Sequence, residues 1–352
     1  MKKRISTIEA LRVVSMLLIV VSHYIYHGLK ETGLYATFDV STIDGMFDYI
    51  TMEPLYILSC VAVNCYVMIT GYFMIDKFEY RWKGMARTWI QTFFYSIFLW
   101  LFARLGWNDS LVSPVKLLFP VYSNEYWFIT SYIGLMLVSP LLSITVKSVS
   151  KKTYQLILLV LFIVNFQFLY GGVWGGFETI SWFSYLFLVA GYVKLYGIPH
   201  KLEEHRLLFF WCIWILLFVL ATAVNVSHEG AFSLISTAYN GPVFFLSFAF
   251  FILFEKAKSG KLLDLLSRLA PYTLGIYLIH EHPCIRKVLW EIIVPESFCA
   301  PMVIYLLISC ILLFFICALI DYLRSLLFRL LRINEAIDYL SNKLPQIELN
   351  ER

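Results

Sequence analysis

Ser6-Thr-Ile-Glu-Ala-Leu-Arg-Val-Val-Ser-Met-Leu-Leu-Ile-Val-Val-Ser-His-Tyr-Ile-Tyr26 is the stretch on which the reading of the whole chain turns. It is apolar and long enough to cross a hydrocarbon core as one helix, at about 1.5 Å per residue. Arg12 and His23 interrupt it. Eleven helical steps of about 100° overshoot three turns by only about 20°, so both side chains share one face, about 16 Å apart along the axis. A cation and an imidazole on one stripe of a membrane helix are costly to bury, which makes the pair a candidate functional site. Glu9, three residues before Arg12, is placed to pair with it on the helix surface.

Composition extends this reading to the full chain. Hydrophobic residues make up 60% of the 352 and charged residues only 15%, with a mean hydropathy of +0.74. Soluble domains run near 45–50% and about 25%. The pattern predicts an all-α integral membrane protein with about ten transmembrane helices and a central, pore-like active site. The predicted spans are 7–27, 54–75, 87–106, 126–146, 153–171, 179–196, 207–226, 241–255, 271–290 and 300–322. The membrane domain covers 1–330, and 331–352 is read as a short cytoplasmic tail, weakly amphipathic, that lies against the membrane or frays. The opening Lys2-Lys3-Arg4 and apolar run imitate a secretory signal. No small-residue cleavage site follows and nine further apolar runs do, so the run is read as a retained span.

Lys and Arg in the loops set the expected orientation. With the N-terminus inside, 22 of the 28 basic residues fall on the inner side. Lys30, Arg104, Lys116, Arg286 and Lys287 fall outside, and Arg12 is intramembrane. The expectation is N-in and C-in. The net charge of +4 then reports topology, and no nucleic-acid partner is expected. Cys60 and Cys65 are five apart with no second pair at metal-ligand spacing, and no metal is expected.

Three further clusters carry chemistry. Thr70-Gly71 ends the second span, a small step that lets the backbone approach a neighbour or a ligand closely. Arg81, Lys83 and Arg87 follow it, and Arg forks suit phosphate. Between Pro120 and Tyr132, Glu125 and Trp127 stand at a span's outer mouth, where an acceptor sugar can stack and hydrogen-bond. Tyr272 to Pro283 places His280 inside the ninth span, either as a satisfied helix histidine or as part of a substrate site. His27, His200, His205 and His228 sit at span edges or in loops and receive no role.

In this order the elements resemble acyltransferase family 3, membrane O-acyltransferases of bacterial surface polysaccharides and related glycolipids. The resemblance covers essentially the whole chain. Arg12-x10-His23 matches the family's signature arginine and histidine. Ile69-Thr-Gly-Tyr-Phe73 is similar to its Phe-rich Ser-Gly turn, with Thr70 where Ser is usual. Tyr126-Trp-Phe128 is similar to an aromatic triplet that often follows His-Leu; here Asn124-Glu125 precedes it, so the family's histidine has no counterpart at that position. Ile276-Tyr-Leu-Ile-His280 is similar to a late Tyr-Leu-Leu-His stretch.

The resemblance implies a multi-pass protein of the bacterial inner membrane. It implies transfer of an acyl group, acetyl being the commonest, from cytoplasmic acyl-coenzyme A to a hydroxyl of a surface polysaccharide or lipid-linked saccharide. No permanently bound cofactor is implied, and acetyl-coenzyme A is a substrate. His23 is then the catalytic residue, as general base or nucleophile. Arg12, Arg81, Arg87, Thr70 and Gly71 hold the donor, and Glu125, Trp127 and His280 the acceptor. Membrane lipids are partners and homodimerisation is left open. A flippase for a lipid-linked saccharide, a polysaccharide polymerase and a sensory membrane protein remain as other classes. The first would show paired halves with interrupted helices, and no such duplication is visible.

Overall fold

The computed structural model describes residues 6–31, 33, 41–105, 114–123, 125–166, 177–227, 241–295 and 302–346. Lys2, Lys3, Arg4, Asn124, His228, Cys299 and Arg352 lie outside them. Among the described residues the chain is helical and contains no strand. In order the helices are α1 Ser6–His23, α2 Ile43–Ser59, α3 Val61–Met74, α4 Trp82–Arg104, α5 Pro114–Leu118, α6 Trp127–Lys147, α7 Lys151–Asn165 and α8 Phe177–Tyr196. They continue as α9 His200–Glu204, α10 Arg206–Ser227, α11 Val243–Glu255, α12 Lys261–Ser267, α13 Thr273–His280, α14 Arg286–Ile293, α15 Met302–Leu330 and α16 Ile333–Ser341.

Among the described residues, helix occupies part of every apolar run marked by the sequence, and six helical segments are long and apolar enough to cross a membrane: Ser6–Lys30, Ile43–Met74, Trp127–Lys147, Arg206–Ala223, Lys261–His280 and Met302–Leu330. On α15 the apolar side chains Ile308, Leu312, Phe315, Ile316 and Leu319 are exposed at the i, i+4, i+7, i+8, i+11 spacing of one helix face. An uncovered stripe of that kind suits hydrocarbon as its solvent.

Two boundaries differ from the sequence reading in ways that build the site. The first helix does not stop near residue 27; it passes at His23 into a π-helical stretch, Tyr24–Lys30. Wider turns of this type shift the phase of the side chains and recur at functional sites. The ninth run, expected as 271–290, is broken. Its helix α13 ends at His280 with Glu281 as C-cap, and α14 resumes only at Arg286. Pro283 explains the stop, because a proline disfavours helical geometry at the residue before it.

Helix α1 lies at the centre, in contact with α2, α3, α11, α12, α13 and α15. Its neighbours approach closely through small residues. At Gly71 of α3 a Cβ atom would stand 2.7 Å from the Phe187 Cα of α8, and at Gly191 of α8 it would collide with Ile75. Buried Asp321 of α15 ties three helices together. Its carboxylate accepts from Gln91 Nε2 and Tyr95 OH of α4, each at 2.9 Å, and from Arg324 Nε at 2.9 Å and Nη2 at 3.0 Å. A Cβ on Gly275 of α13 would strike the same carboxyl group. With every oxygen partnered and a guanidinium beside it, this buried charge is tolerable.

The glycine contact yields a test. Gly71→Ala forces a methyl group against backbone, a clash that a rotamer change cannot relieve, and should cost about 1–3 kcal/mol. Gly260→Ala, with open space around the new atom, is the matched control. Thermal unfolding of the detergent-solubilised protein should fall for the first and stay near wild type for the second. Equal midpoints would show that the α3–α8 contact is loose.

Candidate active site

Three helical elements meet at the end of α1: the π-helical stretch, α13 and α14. His23 Nδ1 lies 2.9 Å from Nε2 of His280, the last residue of α13. It lies 3.1 Å from Oε2 of Glu281, the cap residue that follows. Glu281 Oε1 accepts from Arg286 Nη1 of α14 at 2.6 Å and stands 3.6 Å from His27 Nε2 in the π-helical stretch. His27 Nδ1 reaches Glu31 Oε2 at 2.8 Å. His280 is fully buried, whereas the His23 side chain keeps 20% of its surface exposed.

Hydrogen-bond logic assigns the protons. His280 Nδ1 lies 2.6 Å from the carbonyl oxygen of Ile276, which can only accept, so Nδ1 carries the hydrogen. In a neutral imidazole the other nitrogen is then a bare acceptor. That nitrogen faces His23 Nδ1, which is therefore the donor; Glu281 Oε2 stands 3.1 Å from the same nitrogen without making a hydrogen bond to it. His23 Nε2 is left unprotonated. Charge accounting agrees, since Glu281 and Arg286 neutralise each other and both imidazoles remain uncharged. A base whose far nitrogen is held by a fixed acceptor, here His280 with the Glu281 carboxylate beside it, parallels the orienting arrangement of the serine-hydrolase triad.

His23, His280 and Glu281 offer ligand atoms within 4.8 Å of one another, and their types suit a divalent cation such as zinc. Arg286 already neutralises the negative charge that Glu281 would otherwise offer to such an ion.

Two cavities lead to this cluster. The inner one, about 170 Å³, is lined by His23, Trp127, Tyr66, Phe128 and Tyr277 and reaches Arg12. The outer one, about 490 Å³, is lined by Arg12, Thr70, Lys77, Arg81 and Lys194. Arg12, Thr88 and Tyr132 line both, so the cavities meet at Arg12. One end of the combined path is basic and the other holds an imidazole. Arg12 is fixed by Glu9, with Nε 3.2 Å from Oε2, as the three-residue spacing indicated. Thr70 Oγ1 and Tyr132 OH share a hydrogen bond of 3.1 Å at the junction.

The structure thus brings together Arg12, His23, Thr70, Arg81, Trp127 and His280. His280 stands behind His23 rather than on a cavity wall. Gly71 packs on α8 instead of facing the path. Glu125 pairs with Lys116 at 3.5 Å, and Arg87 pairs with Asp338 at 2.6 Å; neither lines these cavities. His27, Glu281, Arg286, Lys77 and Lys194 escaped the sequence reading. A signal existed for His27, four residues after His23, and for Glu281, which abuts His280 where Pro283 halts the helix. Nothing local singles out Lys77 or Lys194 from other loop cations.

The tautomer is directly measurable. Nitrogen-15 NMR on histidine-labelled protein, assigned with a His23→Gln variant, should show His23 protonated at Nδ1 and bare at Nε2 near neutral pH. A hydrogen on Nε2 would invert the proposed polarity of the cluster.

The family described as an acyltransferase domain matches residues 5–322, nearly the whole chain. No curated protein and no solved structure matches. The chain belongs to this acyltransferase family.

Proposed function

We propose that this membrane acyltransferase moves an acyl group, acetyl by preference, from acyl-coenzyme A to a hydroxyl of a cell-surface glycan or glycolipid. The observation that carries the reading is the path from a basic mouth, past Arg12, to the bare nitrogen of His23. Coenzyme A has the matching shape: a phosphate-rich nucleotide, then a long uncharged pantetheine arm ending in the thioester. Arg81, Lys77 and Lys194 take the phosphates at the mouth, and Arg12 stands at the constriction. The arm occupies the inner cavity, whose wall of Met16, Ile19, Val63 and Ile129 is apolar. On this reading the basic end faces the cytoplasm of a bacterial cell and the His23 end receives the acceptor. Trp127 on the inner cavity's wall gives a sugar ring a stacking surface.

The chemistry follows from the bare nitrogen. His23 Nε2 takes the proton of the acceptor hydroxyl as its oxygen attacks the thioester carbonyl. The carbon–sulfur bond breaks, the proton passes from Nε2 to the departing thiolate, and ester and thiol are the products. Glu281 and His280 hold the ring and stabilise the imidazolium formed in between.

Acyl transfer from labelled acetyl-coenzyme A into the envelope fraction tests the reading. His23→Ala should abolish transfer at matched membrane levels. Glu281→Gln should lower kcat by about a hundredfold or more, as loss of an orienting carboxylate does elsewhere. Arg12→Ala should act chiefly on the KM for the donor. Full activity in His23→Ala, or an unchanged donor KM in Arg12→Ala, would refute the corresponding assignment.

A further inference from the structure

The family match ends at residue 322, yet the chain beyond it folds back onto Tyr80, Trp82 and Arg87, beside Arg81 of the outer cavity's lining. Arg332, at the end of α15, has φ +53° and ψ +26°, a left-handed conformation that non-glycine residues rarely adopt. It turns the chain so that α16 packs on α4 with Ile337 buried. Beyond α16, the Gln346 side-chain amide grips the backbone of Tyr80 from both sides. The Tyr80 N–H donates to Gln346 Oε1 at 2.9 Å, and Gln346 Nε2 donates to the Tyr80 carbonyl at 3.3 Å. Trp82 Nε1 donates to the Pro345 carbonyl at 2.7 Å. The Tyr80 and Trp82 rings pack 4.9 Å apart, and farther along α4 Arg87 pairs with Asp338. Both neighbours of Arg81 are therefore held by the C-terminal segment, while Arg81 itself lines the basic mouth.

We propose that the segment 333–346 is a clasp that positions Arg81 at the donor mouth, with Gln346 and Asp338 as its positioning residues. Arg81 is exposed and sits just before α4, where an untethered backbone would have to be ordered each time a phosphate is bound. The clasp meets that entropic cost in advance. It also explains Arg87, whose guanidinium anchors the clasp instead of a phosphate. The inference rests on the acyl-coenzyme A reading given above.

The test is equilibrium binding of coenzyme A to the full-length protein in lipid nanodiscs. The variants are Gln346→Ala with Asp338→Ala, Arg81→Ala, and all three together, with hydrogen exchange followed over residues 76–88. Removing the clasp contacts should weaken coenzyme A binding by about three- to tenfold, the scale of one to two exposed hydrogen bonds. Exchange at residues 80–82 should quicken. In the Arg81→Ala background the clasp substitutions should add nothing, a non-additivity that a merely structural role would not produce. Unchanged affinity, or the same loss in both backgrounds, would overturn the clasp while leaving the donor reading intact. Wild-type protein that does not bind coenzyme A would overturn the donor reading and the clasp's role with it.

Discussion

One hydrogen on His23 Nδ1, donated to His280 Nε2 with the Glu281 carboxylate 3.1 Å away, is the constraint from which the rest of the site follows. Holding that hydrogen leaves the opposite nitrogen bare and fixes the plane of the ring. The fold meets three demands to keep it there. The Ile276 carbonyl sets the proton of His280, Arg286 balances the charge of Glu281, and α13 stops one residue before the carboxylate is needed. A continuous helix through Glu281 would send it about 100° around the axis from His280. The break after His280 lets consecutive side chains address the same nitrogen.

Close packing holds these parts in register. Helix α1 can be central because its neighbours carry small residues where they meet one another. The Asp321 network fastens α4 to α15 across the broken segment. Polar groups inside a membrane domain are expensive, and two sets of them bear on the site. One set, around Asp321, is fully partnered and joins helices. The other, around His23, leaves a basic nitrogen on the side that lines a cavity.

The sequence made the helical membrane fold legible, because apolar runs of spanning length admit few other structures. It also revealed Arg12 and His23, since both lie on one regular helix where spacing translates into geometry. His280 was visible as a residue within a span, though its place behind His23 was not. What stayed hidden required contacts between distant parts of the chain. Glu281 and Arg286 read as charges in the second half of the expected span 271–290 until the helix break brought them to His23, and His27 acquired a partner only through the π-helical stretch. Arg87 read as a phosphate ligand by charge and position; its partner Asp338 lies 251 residues away in sequence, in a segment whose pattern suggested the membrane surface.

The most direct measurement is an electron cryo-microscopy structure of the protein bound to a non-transferable thioether analogue of acetyl-coenzyme A. The account predicts phosphates among Arg81, Lys77 and Lys194, the pantetheine arm passing Arg12, and the acyl carbon about 3–4 Å from His23 Nε2, leaving room for an attacking oxygen. An analogue that enters by another route, or whose acyl end lies far from His23, would contradict it.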